Sequence, residues 1–200
     1  MSDAKPPFLS EEEEQTLLKI SRFTLEKWVK EKKYPSEKDL RNYQITAALE
    51  QKAGVFVSLH KMGELRGCIG YILPILPLYQ TVIEMAQSAA LHDPRFSPVS
   101  PAELKNITVE ISVLTVPETI TDPSVIEVGK HGIIMKRGYS QGLLLPQVAT
   151  DYGWDRETFL EHTCLKAGLP RNAWQDKNTE IQIFSAQVFN RETVRQGRDK

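Results

Sequence analysis

The chain has 200 residues, of which 40% are hydrophobic and 26% are charged, as is typical of a soluble globular protein. Its formal net charge of −1 argues against nucleic-acid binding through an overall basic field. No apolar run approaches the roughly 20 residues of a membrane span, and the polar N-terminus is not a signal peptide. The two cysteines, Cys68 and Cys164, are too far apart in sequence to indicate a disulfide framework or a paired zinc motif. These features favour a cytoplasmic protein.

A capping box predicts the first helix. Ser10 is a favourable N-cap residue, and Glu13 three residues later completes the motif. The helix is expected to end near Lys33, because Pro35 disfavours a helical conformation in the residue before it. Its apolar face is predicted to contain Leu17, Ser21, Leu25, Trp28 and Val29.

A hairpin and a helix are predicted next, followed by a loop. The strand Gly54–His60 and the return strand Leu65–Ile72 flank a turn at 61–64. A helix is expected from Pro77 to about Leu91, and the three prolines of residues 92–101 indicate an irregular loop. Apolar residues then alternate with polar ones over 107–116, which predicts a strand with one buried face.

The second half of the chain predicts further strands and helices. The expected elements are strands at 132–136 and 142–145, a short helix from Pro146, a helix from Asp155 to Ala167 and a strand at 180–189. Cys164 lies on the apolar face of the Asp155 helix and is predicted to be a packing residue. Because hairpins pair antiparallel strands, we predict an α+β fold with a mainly antiparallel sheet flanked by helices.

The run 65–70, with the sequence LRGCIG, is the most informative in the chain. Side chains alternate between the two faces of a strand, so Arg66 and Cys68 are predicted to point the same way. A guanidinium near a thiol favours the thiolate, the form of cysteine that attacks or ligates. Gly67 and Gly70 lack side chains, so a ligand or another backbone can approach closely. The alternative is that Cys68 is a small core residue.

The proline-rich loop contains further candidates. In the pair His92–Asp93, the aspartate would orient a histidine base, as in nucleophilic sites. Arg95 lies in the same loop, which would bring these residues to the site if it folds over the strand that carries Cys68. The alternative is structural: Asp93 begins the loop by an Asx-type turn, and His92 ends the preceding helix.

Glu110 lies on the polar face of the strand predicted at 107–116. In a central strand its carboxylate would be buried and would need a partner, for which Arg66 is a candidate; in an edge strand it would be solvated. Arg66 is alternatively a surface residue or a structural partner of Glu64 or Glu110. His131 either borders a pocket or belongs to a turn. The histidines are scattered and no phosphate-loop, GxGxxG or HExxH pattern is present, so we predict no metal site and no cofactor.

Five sequence blocks resemble the AMMECR domain family, also called AmmeMemoRadiSam system protein A in bacteria and archaea. The resemblance extends from about Leu17 to Phe189 and implies a single domain over residues 10–190 with flexible tails at 1–9 and 191–200. The blocks are GVFVSL at 54–59, LRGCIG at 65–70, DPRFSPV at 93–99, ELKNITVEISVLTVPE at 103–118 and LLLPQVATDYGWDRETFLEHTCLKAGLP at 143–170.

The resemblance implies a fold and a context rather than a reaction. It implies a larger lobe of sheet and helices, a smaller lobe, and a cleft between them near LRGCIG. Microbial members are often encoded with, or fused to, Memo-like proteins, and a radical SAM protein commonly completes the set. The family has no settled biochemical activity.

Two functions follow as hypotheses. The favoured one is an accessory module whose cleft binds a Memo-like partner, a peptide segment or a small metabolite. The alternative is a thiol-dependent enzyme with Cys68 as nucleophile or covalent carrier and His92 or His131 as proton carrier. The accessory function is favoured because the sequence shows no complete triad and no metal set. The residues expected to line the cleft for binding are Arg66, Gly67, Gly70, Arg95, Glu110 and His131.

Overall fold

The computed structural model describes residues 9–190. The described residues fold into two compact units, one formed by residues 9–114 with 187–190 and the other by Thr115–Ala186. The predicted tails lie outside the described residues except for Leu9, which is buried and exchanges two hydrogen bonds of 3.0 Å with the side-chain amide of Gln187. Leu9 therefore packs within the first unit rather than in a tail.

Helices and strands occur in short runs along the chain, as in an α+β protein. In chain order they are α1 (Glu11–Glu31), α2 (Glu37–Leu40), α3 (Ala47–Glu50), β1 (Gly54–Lys61), β2 (Glu64–Tyr71), α4 (Leu78–Leu91), β3 (Ile107–Leu114), β4 (Glu118–Ile120), β5 (His131–Arg137), β6 (Ser140–Leu144), α5 (Pro146–Asp151), α6 (Arg156–Lys166) and β7 (Glu180–Asn190). Three short 3-10 segments lie at Pro101–Asn106, Pro123–Val125 and Arg171–Gln175.

Helix α1 begins on the predicted capping box. The Ser10 hydroxyl accepts the Glu13 N–H at 3.4 Å, and the Glu13 carboxylate accepts the Ser10 N–H at 2.8 Å. The helix ends at a left-handed Lys32 with φ of 58°, so it is slightly shorter than predicted. The predicted apolar face is confirmed, although Trp28 is only half-buried. The buried residues of α1 are Leu17, Leu18, Ile20, Ser21, Thr24, Leu25 and Val29.

Three antiparallel strands of the first unit lie in the order β2–β1–β3. Helix α4 packs against β1 and β2, and α1 packs against α4 and β3. The sheet face toward these helices is apolar because hydrophobic residues recur at every second position of β1 and β3. Its buried side chains are Val55, Val57, Leu59, Val109, Ile111 and Val113. The polar residues at the alternate positions therefore lie on the other face.

A β-bulge interrupts the pairing of β1 with β2. His60 pairs with Leu65, but Leu59 pairs with Gly67, so Arg66 is an extra residue in β2. One extra residue inverts the alternation of side chains between the two faces. The bulge therefore determines the direction of the Arg66 side chain, which a regular strand would have sent to the face of Cys68.

Gly67 allows β2 to lie directly against α4. A Cβ atom at this position would lie 2.1 Å from the carbonyl oxygen of Ala89, which is far inside van der Waals contact. The space beside Gly67 is thus filled by the backbone of α4. Of the two alternatives that the sequence allowed, a ligand or another backbone, the structure has the backbone.

The second unit has its own antiparallel pairs. β7 pairs with both β4 and β5, and β5 pairs with β6 through a two-residue turn at Gly138–Tyr139. α6 packs against β5 and β6, and its Cys164 is fully buried, which confirms that this cysteine is a packing residue. Asp155 caps α6 by accepting the Thr158 N–H at 2.8 Å, as the sequence predicts.

The predicted α+β class with antiparallel pairing is confirmed. The sequence missed the short elements α2, α3 and β4, whose four or fewer residues are too few to produce a periodic pattern. No helix within residues 9–190 is both long enough and apolar enough to cross a membrane.

Substitution Gly67→Ala is expected to destabilise the protein by about 1–3 kcal/mol or more, because the new methyl group must displace the α4 backbone. The measurement is the free energy of unfolding from urea denaturation. Glu64→Ala, at an exposed position of the same strand, is the control and should change stability by less than ~0.5 kcal/mol. Equal stability of both variants would contradict the close approach.

Candidate functional site

The polar face of β1–β3 brings together side chains from all three strands. Ser58 in β1 pairs with Cys68 in β2 on one side and with Glu110 in β3 on the other. His60 follows two residues after Ser58 and therefore shares its face. Ser58 is buried and the other three are half-buried. We call Ser58, His60, Cys68 and Glu110 the Cys68 face.

Burial keeps the Cys68 thiol protonated. It raises the pKa of the thiol, and this effect outweighs the hydrogen bond from Ser58 and the positive charge of Arg95, which both lower it. The negative charges of Asp93 and Glu110 raise the pKa further. The Ser58 hydroxyl donates to Cys68 Sγ at 3.2 Å. The thiolate expected from a neighbouring arginine is therefore not the form that the fold favours.

Asp93 ties the loop after α4 to β2. Its Oδ2 accepts the backbone N–H of Cys68 at 2.8 Å and an N–H of the Arg95 guanidinium at 2.7 Å. Its Oδ1 accepts the backbone N–H of Arg95 at 3.1 Å, which is the Asx-type turn considered from the sequence, and the Arg95 Nε–H at 2.9 Å. The hydrogen bond from the Arg95 side chain is the main reason that the pKa of Asp93 falls to about 2. Asp93 is 3% exposed.

Arg66 does not share the face of Cys68, which corrects the sequence prediction. Its Nε and Nη2 donate to the Glu103 carboxylate at 3.0 and 3.2 Å, and Lys61 Nζ donates to the same carboxylate at 2.9 Å. Lys61 is three residues from Ser58 in β1, so the two side chains leave opposite faces. The physical reason for the difference is the bulge, which turns Arg66 toward Lys61.

The acidic partner of Arg66 is Glu103, rather than Glu64 or Glu110. The hydrogen bonds from Arg66, and then those from Ser100 and Lys61, hold the pKa of Glu103 well below its usual range. Arg66 is thus engaged in a structural ion pair, with 12% of its side chain exposed. The sequence offered no local signal for this pair, because its members are 37 residues apart.

His60 is the histidine of the Cys68 face, and the sequence reasoning missed it. Its Nε2 lies 4.0 Å from Glu110 Oε1. The same nitrogen is buried and has no hydrogen-bond partner within residues 9–190. A buried polar atom without a partner costs about 1–3 kcal/mol. The available signal was its position in GVFVSLH, two residues after the strand partner of Cys68.

The two histidines predicted from the sequence have other surroundings. His92 is exposed and caps the C-terminus of α4, where its backbone N–H donates to the Ser88 carbonyl at 2.7 Å, as in the structural alternative. His131 begins β5 in the second unit. Its Nδ1 accepts the Glu127 N–H at 3.1 Å, and burial lowers its pKa. Within residues 9–190, no three His, Cys, Asp or Glu side chains are arranged to hold a metal ion.

The space beside Gly70 is also filled by protein, although the residue itself is half-buried. A Cβ atom at Gly70 would lie 2.3 Å from the Val55 carbonyl oxygen and 2.4 Å from the ring of Phe56. Both glycines of the motif therefore serve packing in this fold. At both positions, protein atoms rather than a ligand occupy the space that a side chain would fill.

The fold and the Cys68 face define an α+β protein with a half-buried polar patch, and comparison with known proteins identifies its family. The family model AMMECR1 matches residues 18–189. A protein of Methanothermobacter thermautotrophicus is 48% identical over 189 residues, which are 91% of this chain and 96% of that protein. A protein of Methanosarcina barkeri is 46% identical over 186 residues, covering 90% and 91%. The chain therefore belongs to the AMMECR1 family.

A solved structure supports the same assignment. The crystal structure of an uncharacterized protein from Pyrococcus horikoshii superposes with a TM-score of 0.80 at 41% sequence identity. The match covers 87% of this chain and 89% of that one. The resemblance inferred from the motif blocks is thus confirmed, and it extends to the fold.

Substitution Asp93→Ala is expected to destabilise the protein by about 1–3 kcal/mol, because it leaves the Cys68 N–H without its acceptor. The measurement is urea denaturation at neutral pH, with the exposed Asp151→Ala as control. The folded pKa of Asp93 is lowered, so its stabilisation is present above about pH 4 and is lost as pH falls toward about 2. A wild-type minus Asp93→Ala difference that stays constant through this range would contradict the assignment.

Alkylation of Cys68 by iodoacetamide is expected to be slow at neutral pH and to accelerate only above the ordinary thiol pKa of about 8.5, because burial raises the pKa. The measurement uses a Cys164→Ser background, in which Cys68 is the only thiol. A fast, pH-independent reaction near pH 7 would show a thiolate and would contradict this account.

Proposed function

We propose that this protein is a non-catalytic binding component and that the Cys68 face receives its ligand or partner. The observation that carries the proposal is the buried Nε2 atom of His60, which has no hydrogen-bond partner within residues 9–190. A ligand group that bonds to this nitrogen would remove the cost of leaving it unpaired. The unsatisfied Nε2 atom of His60 in the free protein therefore favours binding.

The chemistry of the face suits a polar ligand. Within a few side chains it presents a hydroxyl, a thiol, an imidazole and a carboxylate, which together provide both donors and acceptors. Next to it, Arg95 holds a guanidinium with 47% of its side chain exposed, oriented by the buried Asp93 carboxylate. A polar segment of a protein or a small metabolite with polar groups fits this set of contacts.

The partner that we propose is a Memo-like protein, acting in company with a radical SAM protein. The support is the family to which the chain belongs, together with the genomic company that the resemblance implies. The interaction would occur through the Cys68 face, so that Cys68 of LRGCIG contacts the partner as a neutral thiol.

A thiol-dependent enzyme is the second candidate function. The specific observations in its favour are the hydrogen bond from Ser58 to Cys68 Sγ and the charge of Arg95, which both lower the pKa of the thiol. Burial outweighs them in the free protein. In this second candidate His60 is the better base than His92, because His60 lies on the Cys68 face.

The test is calorimetric titration of the chain with a purified Memo-like protein. His60→Ala is expected to weaken binding by about 1–3 kcal/mol, because the partner group would lose its hydrogen bond to Nε2. His92→Ala removes an exposed histidine and should leave the affinity unchanged.

Two results would count against the proposal. If the wild-type chain shows no binding, the Memo-like protein is not the partner. If wild type and His60→Ala bind with equal affinity, the Cys68 face is not the site.

A further inference from the structure

Three aromatic rings of the second unit are stacked in parallel. The centres of Tyr152 and Trp154 are 4.9 Å apart with an interplanar angle of 16°, and those of Trp154 and His162 are 4.0 Å apart at 17°. The Tyr152 and His162 rings are both nearly parallel to the Trp154 indole and close to its centre. If both lay on the same face of the indole, their atoms would clash. Trp154 therefore lies between Tyr152 and His162, and Tyr152 is an outer ring of the stack.

The outer face of Tyr152 is open. The residue is 70% exposed even though one face of its ring is covered by Trp154. The exposure must therefore come from the opposite ring face and the hydroxyl end. Gly153, at a φ of 64°, makes the left-handed turn between the two stacked residues. An open aromatic ring held by its neighbours is a feature of binding surfaces, where tyrosine is enriched.

The chain around the stack is acidic. Residues 151–161 contain four acidic side chains and one basic one. The basic side chain, Arg156, donates a hydrogen bond to the backbone carbonyl oxygen of Ser124. Its guanidinium is therefore engaged by this unit. Asp151 and Glu157 form no ion pair within the described part of the chain. The local charge therefore favours a cationic occupant.

We propose that the outer face of Tyr152 binds an arginine side chain of a partner protein. A guanidinium is planar, so it can stack on the ring and still donate hydrogen bonds in its plane to a neighbouring carboxylate. An ammonium group carries the same charge but has no plane to stack. The site is therefore expected to prefer a guanidinium to an ammonium group.

This inference goes beyond the proposed function and does not depend on it. Every residue of the stack belongs to the second unit, whereas the Cys68 face belongs to the first. Failure of one proposal therefore leaves the other standing.

The test is a nuclear magnetic resonance titration of the full chain labelled with ¹⁵N. The probes are the peptides acetyl-Gly-Arg-Gly-amide and acetyl-Gly-Lys-Gly-amide. The arginine peptide is expected to shift the Trp154 indole N–H and the Tyr152 amide, and to bind more tightly than the lysine peptide. Tyr152→Ala should weaken arginine binding about two- to five-fold, the equivalent of a cation–π contact at an exposed site.

Two further variants control for folding and for exposure alone. Tyr152→Phe keeps the ring and should bind as the wild type does. Tyr139→Ala removes an exposed tyrosine of the β5–β6 turn that has no stacked neighbour within residues 9–190, and it should also leave binding unchanged. Equal affinity for the two peptides, or full affinity in Tyr152→Ala, would overturn the proposal.

Discussion

The hydrogen bond from the Cys68 backbone N–H to Asp93 Oδ2, 2.8 Å long, is the contact on which the Cys68 face depends. β2 is the edge strand in the order of the described strands, and its outward N–H groups need acceptors. The carboxylate takes the place of a neighbouring strand's carbonyl and fixes the loop after α4. Because the Cys68 N–H points to Asp93 and away from β1, Cys68 and Ser58 form a non-hydrogen-bonded pair. Facing side chains approach most closely in pairs of this kind.

Local features of the fold could be predicted from the sequence because their signals span only a few residues. Four consecutive residues are enough to identify each of three such features: the capping box at Ser10, the cap at Asp155 and the hairpin turn around Gly63. The α+β class followed from the order of these elements. The Asx turn at Asp93 was likewise visible, but the sequence showed only its local hydrogen bonds and not the one to Cys68, 25 residues away.

The candidate site was harder to predict, because its geometry depends on contacts between distant residues. Strict alternation placed Arg66 beside Cys68, but one bulged residue reversed its face and brought it to Glu103. His60 was overlooked because a histidine at the end of an apolar strand resembles an ordinary surface residue. Only the pairing of three strands shows that Ser58 connects the Cys68 and Glu110 positions.

Burial and pairing together explain why the face is suited to binding. The arginine that was expected to ionise Cys68 neutralises Glu103 instead, while burial keeps the thiol protonated. On the Cys68 face, the buried Nε2 atom of His60 has no hydrogen-bond partner within the described residues. The most direct measurement is therefore the ¹⁵N shift of this atom as the Memo-like protein is added. The account predicts a large change at His60 Nε2 and none at His92. An unchanged His60 signal in the saturated complex would contradict it.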